Sequence, residues 1–119
     1  MSRAGISVLL FGIYACATGL ILITVPNLLL GLLHLPLVTD VWIRVAGGLV
    51  TVIGAYYTAA ALGNVRPFFR WSVPVRMGLV ATFVIFVLLG LVKPVLLLFG
   101  AIELASAIWT AVALRADGA

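Results

Sequence analysis

Apolar residues fill four long stretches of this chain, and polar residues gather mostly between them. The stretches cover about 5–25, 41–62, 74–92 and 95–114. Each is close to the roughly 20 residues that a helix needs to cross the apolar core of a bilayer. Pro26 and Asn27 stop the first, and Gly63 and Asn64 stop the second. Lys93-Pro94 makes a tight turn between the third and the fourth. Pro74 suits the first turn of the third span, where a missing backbone N–H costs nothing. The segment 28–38 is apolar but broken by Gly31 and Pro36. It is too short to span and reads as an interfacial or re-entrant piece. The predicted fold class is all-α, an integral membrane four-helix bundle forming a single transmembrane domain.

Composition points the same way. Of 119 residues, 66% are hydrophobic and 8% charged. A soluble domain carries about a quarter charged residues, so this chain lacks the polar surface that water requires. Four crossings with short loops use up the length and leave no separate soluble domain. A signal peptide competes for the first stretch: Arg3 supplies an n-region, and Ile13-Tyr14-Ala15-Cys16 has the outline of a lipoprotein cleavage box. Tyr14 is too bulky for such a box, and the apolar run continues past Cys16. Retention as a span is the expectation.

The net charge of +4 comes from scattered bases rather than a basic run, which argues against nucleic acid. The bases flank the apolar stretches unevenly. Arg3, Arg66, Arg70, Arg76 and Arg115 fall on one side of the predicted topology, and Arg44 and Lys93 on the other. The excess of basic residues on cytoplasmic loops then puts both termini in the cytoplasm. Cys16 is the only cysteine and reads as a small packing residue. His34, the only histidine, has Asp40 as its one nearby acid, too few ligands for a metal. Glycine-rich phosphate loops, zinc spacings and nucleophile elbows are missing, so no cofactor and no soluble-type catalysis is expected.

Small residues mark packing faces. Gly5, Gly12 and Gly19 recur every seven residues on the first helix, with Cys16 on the same face. Gly47, Gly54 and Ala61 repeat the pattern on the second, and Ala101, Ala105 and Ile108 make a similar surface on the fourth. Such faces let helices approach closely in lipid, either within one chain or between copies.

The polar residues inside the spans are the candidates for function. Glu103 is a carboxylate near the middle of the fourth span, with Ser106 and Thr110 three and seven residues on along one stripe. A charge there must be neutralised, paired or hydrated. Its expected partner is Arg44 on the second helix, where Thr51 and Thr58 continue the same face. The readings of this site are a buried ion pair that fixes register, a substrate, ion or proton site, or a neutral Glu103 with a snorkelling Arg44. A second cluster, Arg66, Arg70 and Arg76 with Tyr56 and Tyr57, is expected at the cytoplasmic edge, in contact with anionic headgroups or an anionic ligand.

Trp42-x-Arg44-x-x-Gly47 with Gly54-x-Tyr56-Tyr57, the run Phe68-Phe69-Arg70-Trp71-Ser72 to Arg76, and Leu98-Phe99-Gly100 through Glu103 to Trp109-Thr110 together resemble small bacterial membrane proteins of the DoxX-like and BphX-like kind. The resemblance covers most of the chain. It implies a four-helix bundle in the bacterial inner membrane, and some DoxX relatives are linked to quinone-coupled sulfur oxidation or sit beside redox partners. It carries over no catalytic residue. Length and span number are also similar to the small multidrug-resistance transporters, but their essential carboxylate lies in the first helix, where this chain has no acid.

Three function classes follow. The leading one is a non-enzymatic accessory or lipid-interacting membrane module, with membrane lipid, a second copy or another membrane protein as partner. The others are a small oligomeric transporter or channel using Glu103 and Arg44, and a quinone-reactive or lipid-modifying membrane subunit.

Overall fold

The structure, a computed structural model, describes residues 2–37 and 40–118. Val38, at the end of the expected interfacial segment, lies outside the described residues, as does Ala119. Among the described residues the regular structure is helical: α1 (Arg3–Thr24), α2 (Pro26–Leu32), α3 (Trp42–Leu62), α4 (Arg66–Leu88) and α5 (Leu96–Ala116). All but α2 are long and apolar enough to cross a membrane. With 22 residues, α1 is about 33 Å long, against a hydrocarbon core of about 30 Å. Leu10, Ile13, Val52, Ile53, Leu79 and Ile108 lie exposed in mid-helix. Water would penalise so much apolar surface, whereas lipid is its natural solvent. The chain is a multi-pass membrane protein of the expected all-α class.

Three helices end in the same way. His34, Asn64 and Gly90 adopt positive φ just beyond α2, α3 and α4. In each case this residue's N–H bonds three residues back, and the next N–H bonds five residues back, as in Leu35 N–H to Leu30 O and Val65 N–H to Ala60 O. This left-handed stop satisfies carbonyls that the helix end would otherwise orphan. Gly90 adopts the conformation freely, while Asn64 is the ordinary non-glycine choice.

The third span differs from the sequence expectation at both ends, and its helix stops at Leu88, four residues before the expected 92. The third span was expected to open at Pro74 after a loop over 64–72, but α4 already begins at Arg66, with Pro67 in its first turn and Pro74 inside the helix. Pro67 is the proline that uses the free first-turn position. Pro74 instead withholds an N–H from the carbonyl of Arg70.

The chain divides into two compact units, one of residues 9–59 and one of residues 1–8 with 60–119. In the first unit α1 and α3 run antiparallel with their backbones nearly touching. A Cβ added at Gly12 would lie 2.6 Å from Thr58 Oγ1, and one at Gly54 would lie 2.6 Å from the Cys16 nitrogen. Gly19 and Gly47 meet the same limit a heptad away, against Thr51 and Leu22. Only glycine permits this approach, so these glycines serve packing within the chain. In the second unit α4 packs against α5, and Phe69, Val8, Ala61 and Ala107 are fully buried.

Candidate functional site: a buried arginine held by hydroxyl groups

Arg76 is 2% exposed. It lies ten residues into α4 from Arg66, about 15 Å along the axis. The sequence expectation set Arg76 at the membrane edge because it started the helix at Pro74. The earlier start at Arg66 carries the guanidinium into the apolar layer, where an unpaired charge is costly.

The chain supplies its own compensation. Arg76 Nε donates to Ser72 O at 3.3 Å, one Nη2 hydrogen to Ser72 Oγ at 3.1 Å, and the other to Thr110 Oγ1 at 2.8 Å. Nη1 donates to Ser106 Oγ at 3.1 Å. Ser72 sits one turn before Arg76 on α4, and Ser106 and Thr110 one turn apart on α5. Two helical periodicities thus converge on one guanidinium.

A hydroxyl accepts through its lone pairs and still has one proton to give. Ser72 gives its proton to Phe69 O at 2.8 Å, and Ser106 gives its own to Glu103 O at 2.9 Å. Thr110 Oγ1 is 3.1 Å from Ser106 O and 2.8 Å from Ser7 Oγ, which also reaches Ala4 O at 2.7 Å. Each hydroxyl finds an acceptor for its own proton while three of them also receive the guanidinium, and so stand in for water that it has lost. Ser7 belongs to this network but was not singled out from sequence, because one serine in an apolar run gives no pattern.

Glu103 is the acid on which the charge of Arg76 acts. Glu103 Oε2 is buried and has no hydrogen-bond partner. The expected stripe Glu103, Ser106 and Thr110 is therefore a real surface facing the interior of its unit.

The partner expected for Glu103 was Arg44, with Thr51. Each has a role of its own in the unit of residues 9–59. Arg44 Nη1 donates to the carbonyl oxygens of Ile23, at short range, and of Thr24, at 3.3 Å. These are the last carbonyls of α1, which lack intrahelical donors and carry the negative end of the helix dipole. Thr51 Oγ1 turns back to Gly47 O at 2.8 Å, beside the glycine crossing. The α3 face read as a polar stripe is thus a packing face whose hydroxyls bond their own helix.

The edge cluster divides too. Tyr57 is 9% exposed and stacks at a tilt on Phe11, with ring centroids 5.0 Å apart, while Tyr56 is 66% exposed. Arg66 is half-buried with Nη2 unpartnered. Arg70 is exposed on the first turns of α4. Of the three arginines, Arg76 is the one drawn inside.

At the same end as Arg66, the start of α1 receives unexpected help. Ser2 Oγ accepts the N–H of Gly5 at 3.0 Å, and Asp117 accepts those of Arg3 at 3.3 Å and Ala4 at 3.0 Å. Ser2 Oγ also donates to Asn64 Oδ1 at 2.8 Å. Residues 2–4, the α3–α4 turn and the end of α5 therefore lie together. Comparison of the chain with protein-family models, with curated proteins and with solved structures gives no match.

Proposed function

We propose that this protein is a non-enzymatic, lipid-interacting accessory module of the bacterial inner membrane, with both termini in the cytoplasm. One observation supports this reading above the others. The buried charge at its centre is already coordinated by Ser72, Ser106 and Thr110 of the same chain, as expected of a group that fixes two helices rather than one awaiting a substrate. The uneven distribution of Arg and Lys supports the cytoplasmic termini, and the resemblance to DoxX-like and BphX-like proteins supports the bacterial inner membrane.

A second reading, a small ion or proton transporter, draws on the unpartnered Oε2 of Glu103, since intramembrane carboxylates often mark ion paths. Reconstitution separates the two. Liposomes loaded with a pH-sensitive dye and carrying the purified chain should dissipate an imposed pH gradient no faster than empty liposomes. Flux above that background, abolished by Glu103→Gln, would replace the accessory reading with the transporter.

A further inference from the structure

The helix end that carries Arg70 and Arg115 also carries a groove of about 290 Å³ between α4 and α5. Its floor is Val73, Pro74, Ala111 and Leu114, and Arg70 and Arg115 stand at its rim. Both arginines are exposed. Trp71, beside Arg70, is 72% exposed, and an outward tryptophan at a helix end marks headgroup depth. The one acid nearby, Asp117, is turned to the amides of Arg3 and Ala4. The rim is therefore cationic and the floor apolar, at the depth where a phosphate joins its acyl chains. Pro74 adds one acceptor: it has no N–H to give to the carbonyl of Arg70, so that oxygen can receive a proton from a bound headgroup.

Resting on the lipid-interacting reading and sharpening it, we infer that this groove binds one anionic phospholipid. The phosphate lies between the guanidinium groups of Arg70 and Arg115, a hydroxyl of the headgroup donates toward Arg70 O, and an acyl chain covers Val73, Pro74, Ala111 and Leu114. A phosphate is matched by two planar guanidinium groups. The floor requires the chain as well, which excludes a free phosphate as the occupant.

The test is native mass spectrometry of the full chain in neutral detergent, with phosphatidylglycerol and phosphatidylcholine of identical acyl chains in equal amounts. Wild type should retain phosphatidylglycerol preferentially. Arg70→Gln/Arg115→Gln should lower that retention roughly 10–30-fold. Ala111→Trp, which keeps both charges and fills the floor, should lower it comparably. Circular dichroism and a melting scan verify that each variant keeps its helices. If wild type prefers the anionic lipid and either variant keeps that preference, the groove is overturned while the lipid-interacting reading stands. If wild type shows no preference, both fall. Displacement of the lipid by glycerol phosphate at equal concentration would also overturn the site, because the floor would then contribute nothing.

Discussion

Asp117 follows the last turn of α5, where the carbonyl ends of the helix disfavour a negative charge. It lies there because its carboxylate serves another helix. The Ala4 amide, against an opposing effect of burial, holds its carboxyl below the ordinary aspartate value, helped by the Arg3 amide and by the charges of Arg66 and Arg3. With a lowered pKa in the folded state, the stabilisation is complete above the unfolded value of about 3.9 and is lost as pH falls through the folded one. Asp117→Ala should therefore lower the melting temperature in detergent at about pH 7 and change it little at pH values below both. An equal loss at both pH values would show that the charge plays no part. Arg44 does the converse at the other end of α1, with a positive charge on its last carbonyls. The sequence makes both residues visible as rare charges, but not their partners. Ala4 and Asp117 are 113 positions apart, and no periodicity reaches that far.

At the level of helices, the heptad glycines were legible because a small residue every seven positions is a geometric statement about one face. Their partner was not, since intramolecular and intermolecular crossings need the same face. The α1–α3 crossing makes a graded prediction. Gly54→Ala sets a methyl 2.6 Å from the Cys16 nitrogen, against backbone that cannot yield, and should cost about 1–3 kcal/mol. Gly48→Ala, on the same helix with nothing within 4 Å, should be neutral or stabilise by up to about 1 kcal/mol. Urea or SDS titration of the two variants measures the contrast, and equal effects would remove the crossing as its cause. Four helix positions were readable to within a few residues, because their length is set by the bilayer. The start of α4 was not. Arginines and aromatics near a membrane surface look alike in a loop and in the first turns of a helix, and two prolines, Pro67 and Pro74, each offered a plausible first turn.

At the scale of the molecule, the polar residues around Arg76 other than Ser7 were noticed in the sequence, but Arg76 itself was set at the membrane edge. The eight-residue displacement of the α4 start moved it from the surface to the interior. Arg76→Leu should destabilise by about 3–5 kcal/mol, because it leaves the Glu103 carboxylate without its cation. Glu103→Gln in that background should restore part of the loss, with a coupling of about 1–3 kcal/mol in the double-mutant cycle. Strict additivity would show that the two charges act separately. The hydrogen bonds of Asp117 have a bearing on how the chain is made. During synthesis α1 reaches the bilayer while Asp117 has yet to be translated, so the leading amides of the first helix wait for a group that emerges only after the fourth long helix. A chain cut short before the end of α5 would therefore lack the carboxylate that accepts the amides of Arg3 and Ala4 at the head of α1.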